Sequence, residues 1–136
     1  MRVCGIELKA NNVIFSIVEF IDDKPNHIDT KVKKLSLTDD ESQNSIREFK
    51  SKIEEFISEH SIEKIIIKKR AKKGTFAGGV LTFKIESIVQ LNIHCEVNFI
   101  SSQAINKFSK NNDIEFPNNL NKYQEQAYLA TLVSHP

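Results

Sequence analysis

The sequence has no tryptophan, a single methionine, only two cysteines and a formal net charge of just +1. Its longest apolar run is far too short for a membrane-crossing helix, which needs about 20 residues. The N-terminus enters a strand-like pattern at once, with no separate apolar segment of a signal peptide, so a cytoplasmic protein is expected. The near-neutral charge means that binding to nucleic acid cannot rest on the global field and would need a local basic patch. There is no Cys-x-x-Cys. His27, His60, His94 and His135 show no close ligand spacing, and Cys4 and Cys95 each sit in an apolar run. Buried reduced thiols are expected rather than a zinc site or a disulfide. Internal repeats, low-complexity segments and linkers are absent too, so residues 1–136 read as one domain, long enough to bury a core. A hydrophobic content of 40% against 27% charged residues is that of a globular chain.

What is present is organised around residues 64–90, KIIIKKRAKKGTFAGGVLTFKIESIVQ. An apolar strand (Ile65, Ile66, Ile67) leads into a basic run of Lys68, Lys69, Arg70, Lys72 and Lys73, five cations in six residues. Three of the four glycines follow as Gly74, Gly78 and Gly79, before a helix with Leu81, Ile85, Ile88 and Val89 on one stripe. In open α/β sheets, ligands bind where strands end and helices begin. The glycine-rich turn can offer backbone N–H groups to a phosphate, the lysines can supply counter-charge, and Phe76 can stack on a base or pack. A plain solvated loop is the competing reading. The turn is not followed by Lys-Ser/Thr, so it is not a nucleoside-triphosphate loop.

The rest of the chain supplies a frame. Residues 2–8 (RVCGIEL) read as a strand carrying one acid, Glu7. Asn11-Asn12 is turn chemistry, and residues 13–21 (VIFSIVEFI) read as a central strand. After a turn at residues 22–26, Ile28, Thr30 and Val32 alternate as a third strand, with the pattern slipping before Leu35. Residues 38–42 carry helix-start chemistry, and Ile46, Phe49, Ile53, Phe56 and Ile57 stripe a helix over about residues 43–59. The fourth strand is residues 65–69 and the fifth residues 95–100. Ser101 or Ser102 caps a short helix to about residue 110, and a last helix covers about residues 120–133. The order β-β-β-α-β-α-β-α-α implies a five-stranded mixed sheet, three antiparallel strands followed by parallel ones, with helices on both faces.

The pieces RVCGIELK, KKLSLTD, IIIKKRAKKGTFAGGVLTFKIES, ISSQAINKF and YQEQAYLA resemble a family of uncharacterised bacterial RuvC-like proteins of the ribonuclease H-like superfamily. The resemblance runs over essentially the whole chain, and GTFAGG is its most specific motif. It implies the α/β ribonuclease H-like fold. It also implies a catalytic centre built on two Mg²⁺ or Mn²⁺ ions held by acids from the first strand, the end of the fourth strand and the last helix. Such ions take hard oxygen ligands and clamp the attacking and leaving oxygens of a phosphodiester.

Carried over residue by residue, the first acid is Glu7. The second falls at Lys68 or Lys69, Lys69 being the expected position, where a lysine stands in place of a carboxylate. The third falls near Glu125, with the register among Gln124, Glu125 and Gln126 open. Glu86 is a further metal-ligand candidate. Each has a bland alternative: a strand-edge carboxylate paired with a lysine for Glu7, a solvated helical acid for Glu125 and Glu86. A DNA- or RNA-binding protein with a reduced metal site and impaired nuclease activity is therefore one expectation. A non-catalytic interaction or dimerisation module is the other, since RuvC-like proteins often form homodimers.

Overall fold

Arg2–Lys9 (β1) and Asn12–Ile21 (β2) form an antiparallel hairpin with Glu7 opposite Ile14 and Lys9 opposite Asn12 in the computed structural model, which describes residues 1–70 and 79–136. The turn falls at residues 10–11, one residue earlier than the expected Asn11-Asn12. Ala10 takes the left-handed conformation (φ 55°), while Asn11 donates its side-chain amide to the Leu37 carbonyl at 3.1 Å. The next turn uses two left-handed aspartates, Asp22 (φ 52°) and Asp23 (φ 64°), a pairing that matches strand twist. It leads to Lys24–Ile28 (β3), antiparallel to β2.

The third strand does not continue through Thr30 and Val32. After Ile28 the chain leaves the sheet: the Thr30 hydroxyl donates to the Val32 carbonyl and Lys33 Nζ to the Thr30 carbonyl. It returns as Lys34–Ser36 (β4), paired with the first residues of β2. One expected strand is thus two, and among the described residues the sheet has six strands rather than five, in the order β3-β2-β1-β5-β6 with β4 also on β2.

Gln43–Glu59 (α1) begins at Ser42, whose side chain accepts from the Ser45 N–H. Lys64–Lys68 (β5) joins β1 in parallel, and Glu96–Ile100 (β6) joins β5 in parallel after Val80–Gln90 (α2). Ser101 caps Ser102–Asn111 (α3) through the Ala104 N–H. A single 3-10 turn, Lys122–Gln124, then precedes Glu125–Ser134 (α4). No helix among the described residues is long and apolar enough to cross a membrane.

Alternation along the strands sends side chains to two faces. Cys4, Ile6, Phe15, Ile65 and Ile67 bury one face against Phe49, Ile53, Phe56, Ile57, Ile85 and Val89 of α1 and α2. Val3, Ile66 and Ile100 meet Ile105, Leu129 and Ala130 of α3 and α4 on the other. The approach of α4 to β1 is close: a Cβ on Gly5 would lie 1.8 Å from the Ala127 carbonyl oxygen and 2.9 Å from Thr131 Cγ2. Only glycine lets the helix settle at that depth, and this contact fixes the register of α4 over the carboxyl end of β1.

Candidate functional site

Glu7 is on the α4 face of β1, one step beyond Ile6, which pairs with Ile67 of β5. Lys68 occupies the equivalent step on β5, and its ammonium comes within 3.5 Å of the Glu7 carboxylate. The Gln126 side chain completes the group from α4: Lys68 Nζ donates to Gln126 Oε1 at 2.9 Å. The two charged side chains are only 22% (Lys68) and 21% (Glu7) exposed, so the pair is held in a partly desolvated pocket between sheet and helix. β1, β5 and α4 therefore do converge on one point. They bring together a carboxylate, an ammonium and an amide, with net formal charge zero.

The neighbours expected from sequence divide around this point. Of the positions considered for the second acid, Lys68 stands beside Glu7. Lys69, the expected one, follows the alternation to the opposite face and is exposed. Its N–H bonds the Ile100 carbonyl at 2.7 Å, and its carbonyl accepts from the Ser102 hydroxyl at 3.3 Å. On the last helix it is Gln126 that reaches the centre. Gln124 is buried and donates Nε2 to the Phe15 carbonyl at 2.8 Å. Glu125 is half-buried, its N–H donates to the Lys122 carbonyl, and its side chain makes no hydrogen bond or ion pair among the described residues.

Glu86 is on α2, on the other side of the sheet from Glu7. It pairs with Arg70 Nε at 3.7 Å, and the Arg70 guanidinium is 3.2 Å from the centroid of the Phe83 ring. Lys69, Arg70, Glu86 and Phe99 line a cavity of 110 Å³ there. Gly79 is the N-cap of α2. Lys72, Lys73, Gly74, Phe76 and Gly78 lie outside the described residues.

The donor set at the centre does not fit the divalent ions that the resemblance implied. Mg²⁺ and Mn²⁺ favour several oxygen ligands, mostly anionic. Here one carboxylate is already neutralised, and no cluster of three or more His, Cys, Asp or Glu side chains that could hold a metal occurs among the described residues. A divalent ion on Glu7 would sit within about 4 Å of the Lys68 ammonium, a repulsion of ~8 kcal/mol at an effective dielectric of ~20 unless the lysine swung away.

Sequence reasoning left Gln126 as one of three candidates and missed a row of residues beside it. Because cross-strand partners share a face, Ile100, Lys68, Glu7, Ile14 and Lys34 form one line across the sheet. Lys34 ends that line under Tyr123, its ammonium 5.5 Å from the ring centroid. The register of α4 had one usable signal, a small residue (Ala127) able to sit on the glycine two positions before Glu7. The link between Lys34 and Tyr123 had none.

The sequence matches the family described as Protein of unknown function (DUF3010) over residues 1–134. It matches no curated protein. Among solved structures, RuvC of Thermus thermophilus superposes with a TM-score of 0.69 at 9% identity, over 98% of this chain and 92% of that one. T. thermophilus RuvC in complex with a Holliday junction substrate gives 0.65 at 12% identity, over 98% and 91%. Fowlpox virus resolvase with Holliday junction DNA gives 0.52 at 15% identity, over 99% and 93%. At such identities the likeness shows the fold alone, a RuvC-like, ribonuclease H-like α/β fold.

Proposed function

The chain belongs to the DUF3010 family, and we propose that it is a cytoplasmic nucleic-acid-binding protein whose RuvC-like centre is closed by a lysine instead of a pair of divalent metals. The observation that carries this reading is the Lys68 ammonium, held between the Glu7 carboxylate and the Gln126 amide. An ammonium there neutralises Glu7 without an ion, and the two-metal route to phosphodiester hydrolysis, with Mg²⁺ or Mn²⁺, loses its ligands. On this reading Glu7, Glu125, Lys69 and Glu86 have no role as metal ligands or catalytic groups. Binding does not need the metal. At the end of β5 Lys68 is paired with Glu7 and Arg70 with Glu86, while Lys69 is exposed, and Lys72 and Lys73 follow in the sequence. Lys69, Lys72 and Lys73 are the residues of this run that would supply the counter-charge that dominates affinity for a phosphate backbone. Nucleic acid as the partner class is also supported by the RuvC and fowlpox virus resolvase structures, both of which hold Holliday junction DNA.

The test is fluorescence anisotropy with labelled single strands, duplex, RNA–DNA hybrid and a four-way junction over a range of salt. The proposal expects binding in EDTA that weakens as salt rises, and a smaller salt slope once Lys72 and Lys73 are both replaced by glutamate. Absence of binding to every substrate would refute it.

A second reading has its own observation. Val80, Phe83, Leu91 and Ile93 are exposed on and just after α2, beside the edge strand β6. A homodimer packed along that face would make the fold an association module. Analytical ultracentrifugation of the wild type and of Leu91→Glu/Ile93→Glu tests it, a concentration-independent monomer being the result against it.

A further inference from the structure

The line Lys68, Glu7, Ile14, Lys34 continues the centre across the sheet, with Lys34 about 10 Å from Glu7, two strand spacings away. The 3-10 turn lies over β2 at this point. Gln124, buried, donates to the Phe15 carbonyl, and its Oε1 accepts from the Asn121 main-chain N–H at 3.0 Å and from the Asn121 side-chain amide at 3.2 Å. That anchor fixes the residue before it, Tyr123, which nevertheless remains 45% exposed. Lys34 covers one side of the ring, Lys122 is exposed next to it, and no aromatic ring among the described residues stacks on it. Gln126, three positions on, bonds Lys68. An exposed ring on a buried anchor, with Lys34 over one face and the exposed Lys122 next to it in the chain, is a poor core element. It has the make-up of a stacking platform: aromatic rings take unpaired bases and lysines take the phosphates between them.

We propose that Tyr123 stacks on an unpaired base of a single-stranded nucleic acid, with Lys34 and Lys122 contacting its phosphates, so that the strand runs from Tyr123 toward Lys68. The inference rests on the nucleic-acid reading above and adds to it the strandedness of the ligand and the residues that sense it. Within a duplex both faces of a base are already stacked and its edge is paired, so the platform selects single strands, junction arms that open, or frayed ends.

The experiment compares labelled oligothymidylate, oligouridylate and an abasic strand of the same length, all by anisotropy in EDTA. Wild-type protein should bind the abasic strand roughly 5- to 100-fold more weakly than the thymidylate, the range expected for one base stacked on an aromatic side chain. Tyr123→Ala should lose the same factor on the thymidylate and nothing on the abasic strand, while Tyr123→Phe keeps wild-type affinity. Lys34→Ala and Lys122→Ala should each lower the salt slope by about 0.7. Equal binding of abasic and intact strands by the wild type would overturn the inference whatever the variants do. So would Tyr123→Ala, folded by circular dichroism, binding the thymidylate like wild type. Duplex binding with no single-strand binding would overturn this inference and leave nucleic-acid binding standing; no binding at all would overturn both.

Discussion

Replacing Lys68 by glutamate would put two carboxylates where an ammonium and a carboxylate now meet at 3.5 Å. At that separation and an effective dielectric of ~20, the lost attraction is about 5 kcal/mol, and the new repulsion is of similar size. Both side chains retain about a fifth of their exposure, and the carboxylates can swing apart into solvent or share a proton, so only part of this is felt. A net destabilisation of about 3 kcal/mol is a reasonable expectation, or roughly 10 °C in Tm for a domain of this size. The same substitution supplies hard oxygen ligands beside Glu7. A divalent ion at a hundred times its dissociation constant would return about 2.7 kcal/mol, most of the loss.

Thermal unfolding followed by circular dichroism in EDTA, Mg²⁺ and Mn²⁺ makes the comparison. The wild type should melt at the same temperature in all three. Lys68→Glu should melt lower in EDTA and recover in Mn²⁺ or Mg²⁺, and Glu7→Ala placed in that background should abolish the recovery. A wild-type Tm that rises by several degrees with metal, and fails to rise in Glu7→Ala, would show that the centre takes an ion beside the lysine and would refute the reasoning.

Other consequences follow from the geometry. Gly5→Ala should cost about 3 kcal/mol or more in urea denaturation, because its Cβ meets the backbone of α4 and the helix must lift; unchanged stability would show that α4 is not seated on β1. Gln124→Ala should cost about 1–3 kcal/mol by leaving the Phe15 carbonyl without its buried donor, and should weaken single-strand binding through Tyr123 as well. Burial, aided by the neighbouring Glu96 carboxylate, pushes the Cys95 thiol up to about 11, and complete burial pushes Cys4 further in the same direction. A raised thiol pKa leaves the thiolate a minor species below that value. Alkylation of Cys95 at pH 8 should therefore be slow and rise roughly tenfold per pH unit toward pH 11, while Cys4 reacts only on unfolding. Rapid labelling of either thiol in the folded protein at pH 8 would contradict this.

The ribonuclease H-like order of elements was legible because most elements carry their own signals. The helix at residues 43–59 has both a cap, Ser42, and a continuous apolar stripe, and its ends fall where those signals put them. The third strand misled because Ile28, Thr30 and Val32 alternate like a strand. What ends the strand there is local side-chain bonding by Thr30 and Lys33, which polarity does not reveal. The choice between Lys68 and Lys69 failed for a related reason. Ile65, Ile66, Ile67, Lys68 and Lys69 show no alternation, since the strand is covered on both faces, so nothing in the run tells which lysine faces α4. Convergence of β1, β5 and α4 came from the fold. Which of three consecutive residues on that helix reaches the centre depends on the Gly5–Ala127 contact, between residues far apart in sequence. The pairing of Lys34 with Tyr123 is likewise tertiary, set by the register of β4 on β2 and by the Gln124 anchor.

The most direct test of the central claim is a cleavage assay on the substrates that the protein binds, run with Mg²⁺, Mn²⁺ or EDTA beside Glu7→Ala. A centre closed by Lys68 predicts a retarded complex in all three conditions, with every strand left intact in Mg²⁺ and Mn²⁺ as in EDTA. Metal-dependent cleavage by the wild type that disappears in Glu7→Ala would contradict it, because Glu7 would then be holding a working ion despite the ammonium beside it.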